Sequence, residues 1–185
     1  QALINTEERS TVFEFLHDRV QQAVYSLISE EEKKEKHLTI ARLLLERTPC
    51  DSLKEKILTI MDHFNRSLDF IDNPEEMMKL AEYNLLAGRK AKDSAAYALA
   101  LQYFRYGKAL LPEGAWELAY RISYDLHLEL AQAEYLSANM ETAERLFDTV
   151  IEKARAEEDR ASIYGLNVIL FASMGKYAEA VNVGI

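Results

Sequence analysis

One spacing of small and aromatic residues occurs three times in the second half of this chain, and it limits the fold more than any other feature. In the first passage Ala100 is followed by Phe104, Gly107 and then Pro112, with Gly88 twelve positions before Ala100. In the second, LELAQAEYLSANMETAERLF places Ala131, Ala138, Met140, Ala143 and Phe147 in similar order, with Val150 just beyond. In the third, FASMGKYAEA supplies Phe171, Gly175, Tyr177 and Ala180. Small residues let two helices approach closely, and aromatic residues fill the groove to the next pair. A helix pair built this way leaves an apolar face that only another pair can cover.

The rest of the chain reads as helix as well. Val20, Ala23, Val24, Leu27 and Ile28 recur at i, i+3, i+4, i+7 and i+8, which is one apolar stripe. Ser29 and Glu32 form a capping-box pattern that opens the next helix, whose buried side is Leu38, Ala41, Leu44 and Leu45. The charged run EEEKKEK is its solvated start. Thr48-Pro49-Cys50-Asp51 breaks it, and Ser52 with Glu55 repeats the capping pattern. The face that follows is Leu53, Ile57, Ile60, Met61, Phe64 and Leu68. Asn73-Pro74 predicts an N-cap with proline at the first helical position. Asp93 or Ser94 is expected to cap another helix, Pro112-Glu113-Gly114 to form a turn, and residues 115–137 to form one long helix. Asn139 marks a short connection, Asp159 starts a further helix that ends at Gly175, and a last one begins near Tyr177. About eight helices with short connections form antiparallel hairpins.

Taken together the three passages resemble the tetratricopeptide repeat (TPR). The match is good on the second helix of the first repeat. It is poorer on the first helix, where Asn84 and Ala91 stand in place of the usual aromatics. The anchors Ala100, Ala143 and Ala180 are unevenly spaced, so the repeats are degenerate. The expected fold is all-α, a right-handed superhelix of antiparallel hairpins; a generic helical bundle is the alternative.

The opening is different. VFEFLHDRVQQAVYSLI, residues 12–28, starts with the alternation of a short strand and then becomes an amphipathic helix. Phe13, Phe15, His17, Asp18, Arg19, Val20, Gln21, Gln22, Ala23 and Tyr25 match one region of large bacterial signalling proteins. So do His37 with Ile40-Ala41-Arg42-Leu43-Leu44, His63-Phe64-Asn65, and AGRKAKDSAAYALALQYFRYGKALL. Leu136 with Asn139 and the run Gly175-Lys176-Tyr177 match too. The resemblance covers nearly the whole chain. That family joins a serine/threonine kinase-like domain, an AAA-type (STAND-class) ATPase, a helical repeat region, a GAF sensor and a histidine kinase.

The resemblance implies three segments. Residues 1–28 would be the end of a winged-helix domain that follows the ATPase, with a last strand at Phe13 to Phe15. Residues 29–73 would be a linking hairpin, and residues 74–185 degenerate TPR-like repeats truncated at the C-terminus. The chain is then expected to be a piece of a longer protein. Asp18 would favour the N-terminal turn of its helix, and His17 and Arg19 would face or link to the ATPase side. The motif is then a joint between modules.

Catalytic readings are weak by comparison. His17-Asp18 with His37, His63 and Asp62 has the residue types of an HD-type metal phosphohydrolase. Those enzymes also need a histidine upstream of the adjacent pair, and none precedes His17. His37, His63 and His127 lie at or beside apolar stripes, where a packed, hydrogen-bonded role is the commoner one. The phosphate-loop, dinucleotide and nucleophile-elbow patterns do not occur in this sequence. No catalytic, metal or cofactor residue is therefore assigned.

Composition enters on partners and compartment. The 185 residues carry a formal charge of −9, and the sequence pI is about 5.0, which argues against nucleic acid as a partner. Cys50 is the single cysteine, so no internal disulfide forms, as suits a reducing cytoplasm. No apolar run is long enough to span a bilayer. Arg89, Lys90 and Lys92 form a basic cluster on this acidic chain. It either complements a helix C-terminus or contacts an acidic partner. Tyr97, Tyr103, Tyr106 and Tyr120 offer aromatic contacts on a concave face or packing between helices. The expected function is a non-catalytic regulatory arm that binds a protein or peptide and couples it to an adjacent ATPase in cis. A stand-alone peptide-binding adaptor is the second reading.

Overall fold

The computed structural model describes Tyr25 and residues 27–184, apart from Met174. The strand expected at Phe13 and Phe15 lies outside the described residues, as does most of the 1–28 segment. Every regular element described is helical. They are α1 (Glu30–Arg47), α2 (Cys50–Asn65), a 3-10 turn (Leu68–Phe70), α3 (Pro74–Asp93), α4 (Tyr97–Ala109), the short α5 (Ala115–Leu118), α6 (Tyr120–Leu136), α7 (Met140–Lys153), α8 (Glu157–Ser173) and α9 (Tyr177–Gly184).

Successive helices pair as hairpins: α1 with α2, α3 with α4, α6 with α7, and α8 with α9. Each hairpin also touches the next, α2 on α3, α4 on α6, and α7 on α8. The first helices α3 and α6 touch as well. The core is one continuous spine from Leu38 to Leu170, with Phe64, Phe104, Leu126 and Ile163 fully buried along it.

The helix starts show where local signals hold. Ser29 caps α1 with a complete capping box, its hydroxyl accepting from Glu32 N–H while the Glu32 carboxylate accepts from Ser29 N–H. Asn73 caps α3, its Oδ1 accepting from Glu75 and Glu76 N–H at 2.9 and 3.0 Å. Ser52 does not cap α2, contrary to its spacing with Glu55. That helix begins two residues earlier at Cys50 with Pro49 in the cap position, and Ser52 N–H already donates to Pro49 O. Proline fixes φ at a value that suits a helix start, so the helix begins directly after it. Nor does Asp93 or Ser94 cap α4; Ala96 occupies that position without a side-chain bond.

Residues 94–96 instead close the α3–α4 hairpin, and the same closure recurs twice. Ala95 takes φ 56°, with Ala95 N–H donating to Lys92 O and Ala96 N–H to Ala91 O. Ala138 takes φ 63°, with its N–H on Tyr135 O and Asn139 N–H on Glu134 O. Gly175 takes φ 73°, with its N–H on Ala172 O and Lys176 N–H on Phe171 O. These are three Schellman turns. In each, the small anchor (Ala100, Ala143, Ala180) comes five residues after the left-handed position. All three anchors are buried.

Alanine is a costly occupant of a left-handed position, by about 1–2 kcal/mol relative to its usual region. Ala95→Gly and Ala138→Gly are therefore each expected to raise stability by about 1 kcal/mol. A thermal melt checks this, with a rise of about 2–4 °C each. Melting temperatures unchanged or lowered would contradict the assigned turns.

The helix expected over residues 115–137 is broken at Ala119, which has φ −139° and ψ 53°. A continuous helix would give the Trp116 carbonyl to Tyr120 N–H. Here that carbonyl accepts Arg155 Nη2 at 2.6 Å, from the turn between α7 and α8. The Arg155 guanidinium also lies 4.5 Å from the Tyr120 ring centroid, and Arg155 N–H donates to Tyr120 Oη. A side chain 39 residues away in sequence thus takes up the carbonyl that the break leaves without its helical partner.

Candidate interaction surface

The repeat residues pack differently from a simple contact of small on small. Gly88 faces the ring of Phe104, and a methyl group added there would lie 2.5 Å from Cδ1 and 2.8 Å from Cζ. Gly107 faces Leu126, where an added methyl would lie 2.7 Å from Cδ2. The glycines thus clear room for a large side chain, one within the hairpin and one across to α6. Ala131, Ala143 and Phe147 are buried in the second hairpin. Phe171 meets Tyr135 edge-on at 5.9 Å, joining α8 to α6. Tyr177 is 68 % exposed and fills no groove here.

Asn84, which stands where the repeat pattern has an aromatic, is fully buried. Its amide pairs with Asn65 in both directions, at 2.8 and 3.1 Å, and its Nδ2 also donates to Leu80 O. The polar side chain survives burial because its partner comes from α2.

Among the opening-motif residues, Phe13, Phe15, His17, Asp18, Arg19 and Gln22 lie outside the described residues. Tyr25, His37 and His63 come together. Tyr25 Oη is 3.2 Å from His37 Nε2, and His37 Nδ1 is 2.7 Å from His63 Nδ1. A bond between two Nδ1 atoms needs one to carry hydrogen and the other to be bare. No group of three His, Cys, Asp or Glu side chains among the described residues is arranged to hold a metal.

Arg89, Lys90 and Lys92 all bond within the chain. Arg89 Nε donates to Glu129 Oε1 at 2.7 Å and Nη2 reaches Asp125 at 3.5 Å. Lys92 bonds Glu129 and the Gln132 side chain. Lys90 Nζ donates to the carbonyls of Lys54 and Glu55, each at 2.7 Å. The cluster ties α3 to α2 and α6. Of the four tyrosines, Tyr103 is buried with its hydroxyl on Leu58 O, and Tyr120 donates to Asp159 Oδ2 at 2.6 Å. Tyr106 remains exposed. Tyr124 joins the same contact, donating to Asp159 O at 3.0 Å, and burial, with the Asp159 charge next, pushes its phenol up to about 12.

Two of the open grooves left by the stacking of hairpins lie between corresponding helices of successive pairs. One, of about 510 Å³, lies between α3 and α6, with Met78, Glu82 and Leu85 facing Tyr120, Arg121 and Asp125. The other, of about 570 Å³, lies between the second helices α4 and α7 over α6. Periodicity could not show either one, since each joins helices that are not neighbours in sequence.

Burial of His127 and His37 bears on how the stability of the fold depends on pH. Burial lowers the His127 pKa from its ordinary value, with Lys108 adding to the effect and the Ser123 carbonyl opposing it. Its Nδ1–H donates to that carbonyl at 2.7 Å while the ring packs at a tilt of 40° against Trp116. Burial lowers His37 as well, with His63 and Arg66 adding and Asp62 opposing. Both rings stay neutral in the fold at pH values where the unfolded chain, with histidine near 6.5, binds protons. Their contribution to stability is complete above about pH 6.5 and declines as pH falls through the depressed folded values. Urea midpoints measured on either side of that range should drop toward acid, and less so in His127→Gln. An equal drop in that variant would remove His127 from the effect.

Among the described residues no helix is long and apolar enough to cross a membrane. No family model matches the chain, and no solved structure matches it. Hybrid signal transduction histidine kinase G of Dictyostelium discoideum is 24% identical over 197 aligned residues, covering 94% of this chain. The chain spans only 6% of that protein's length. This helical chain is therefore similar to one small part of a signal-transduction protein.

Proposed function

We propose that this chain is a non-catalytic helical-repeat arm of a signalling protein, a TPR-like right-handed superhelix that binds a protein or peptide partner. The observation that carries the proposal is the thrice-repeated hairpin closure, with its buried small anchor at a constant offset. Repeats of that kind lay successive first helices side by side and create an extended binding face. The groove between α3 and α6 is that face here. The similarity to a Dictyostelium discoideum kinase supports the signalling setting and widens it beyond bacteria.

Coupling would follow from a partner that binds one arrangement of the hairpins better than another and so shifts an adjacent ATPase domain in cis. The partner's differential affinity sets the size of that shift. The test is made in the full-length protein. Glu82→Lys with Arg121→Glu reverses two charges of the groove, and the signalling output is expected to change several-fold with only a small drop in melting temperature, since Arg121 is largely exposed though it pairs with Asp125 at 2.9 Å. Unchanged output would refute the proposal. The reading frame upstream of Gln1 supplies an independent check, since a phosphate-binding loop must be encoded there. Its absence would leave a stand-alone peptide adaptor.

A further inference from the structure

The α4–α7 cleft differs from the α3–α6 groove in charge. Arg105 and Lys108 line one wall and Arg145 the other, on a chain of net charge −9. Lys108 and Arg145 are exposed, and among the described residues neither side chain makes an ion pair. Glu134 is the one acidic residue in the lining. Its carboxylate is used inside the fold, with Arg105 Nη2 on Oε1 at 2.6 Å and Asn139 Nδ2 on Oε2 at 2.7 Å. Glu134 is 2 % exposed, while the Arg105 side chain it holds is 58 % exposed. A buried carboxylate thus fixes one cation at the cleft mouth while leaving much of the guanidinium open to solvent.

The floor is apolar, with Leu130, Leu146 and Ala109. No aromatic side chain lines the cleft, so it lacks the stacking platform that single-stranded nucleic acid uses. The acidic chain as a whole repels a long polyanion. An opening of about 570 Å³ with an apolar floor suits a short peptide better than a single ion.

We propose that the α4–α7 cleft docks an acidic peptide segment in which Asp or Glu side chains flank an apolar residue. Arg105, Lys108 and Arg145 take the carboxylates, and Leu130 with Leu146 seats the apolar side chain. The cationic walls lie on second helices, with α6 supplying only the floor, so the cleft is outside the α3–α6 groove and does not depend on the partner proposed for that groove.

The 185-residue chain would be titrated into a short fluorescein-labelled peptide of Asp-Glu pairs alternating with Leu, with binding read by anisotropy. Saturable binding that weakens with salt is expected. Lys108→Gln with Arg145→Gln should weaken it about tenfold or more, while Glu82→Lys with Arg121→Glu leaves it intact. Both Gln positions are exposed, so thermal melts should match the native chain; should the pair melt early, Lys108→Ala and Arg145→Ala singly carry the same test. A peptide with Ser in place of Leu should bind several-fold more weakly. No saturable binding, equal binding by the Gln variants, or equal binding by the Ser peptide would overturn the proposal. So would tighter binding of inorganic phosphate or of a thymidine oligonucleotide at the same cleft.

Discussion

Phe104→Ala is expected to destabilise the chain by about 3–5 kcal/mol, the largest effect of any single substitution named here. Phe104 is fully buried and its ring lies directly against Gly88, so truncation opens a cavity at the centre of the α3–α4 hairpin. The decisive measurement is the cycle with Gly88→Ala. In the native background that alanine should destabilise by about 1–2 kcal/mol, because a collision worth up to about 3 kcal/mol outweighs a helix-propensity gain of about 1 kcal/mol. In the Phe104→Ala background the ring is gone and only the propensity gain remains, so the same change should become stabilising. Urea denaturation followed by circular dichroism gives all four values. A Gly88→Ala effect of the same sign and size in both backgrounds would show that the two residues do not meet.

Arg105→Met should cost about 2 kcal/mol, although the arginine is largely exposed. The reason is its partner: Glu134 is buried on α6 and would keep only the Asn139 amide. Removing one member of such a pair leaves a charge uncompensated, whereas replacing both with apolar side chains is often close to neutral. Arg105→Met with Glu134→Met should therefore recover most of the loss. If the double variant is as unstable as the two single effects added together, the pair contributes nothing specific and the Arg105 stem is what matters.

The recognisable parts of this fold were those set by neighbours in sequence. The Ser29 capping box and the Asn73-Pro74 start depend on residues two to four apart and stand as read, as do the stripes of α1 and α2 in their main part; Leu44 and Leu45 are half-buried, and Leu68 falls past the end of α2 in the 3-10 turn. The anchors Ala100, Ala143 and Ala180 were visible, but the reason for their regularity was not. It lies in a left-handed turn residue five positions earlier, and alanine at two of the three positions hides what glycine shows at the third. Ser52 misled because its spacing with Glu55 is the same as that of Ser29 with Glu32, while a preceding proline had already started the helix.

The site was less legible for the same physical reason. The cluster Arg89, Lys90 and Lys92 read either as a complement to its helix C-terminus or as a contact for an acidic partner, and its bonds to Glu129, Gln132, Lys54 and Glu55 were not visible. Tyr25, His37 and His63 appeared as separate motif residues and meet only when α1 lies on α2. The sequence by itself determined a chain of helices, their apolar faces and the hairpins that join them, because periodicity and turn chemistry act over a few residues. Only the tertiary structure decided which polar groups are buried with a partner, where a long helix breaks and which grooves open. Each of those depends on a helix tens of residues away, whose approach no local pattern specifies.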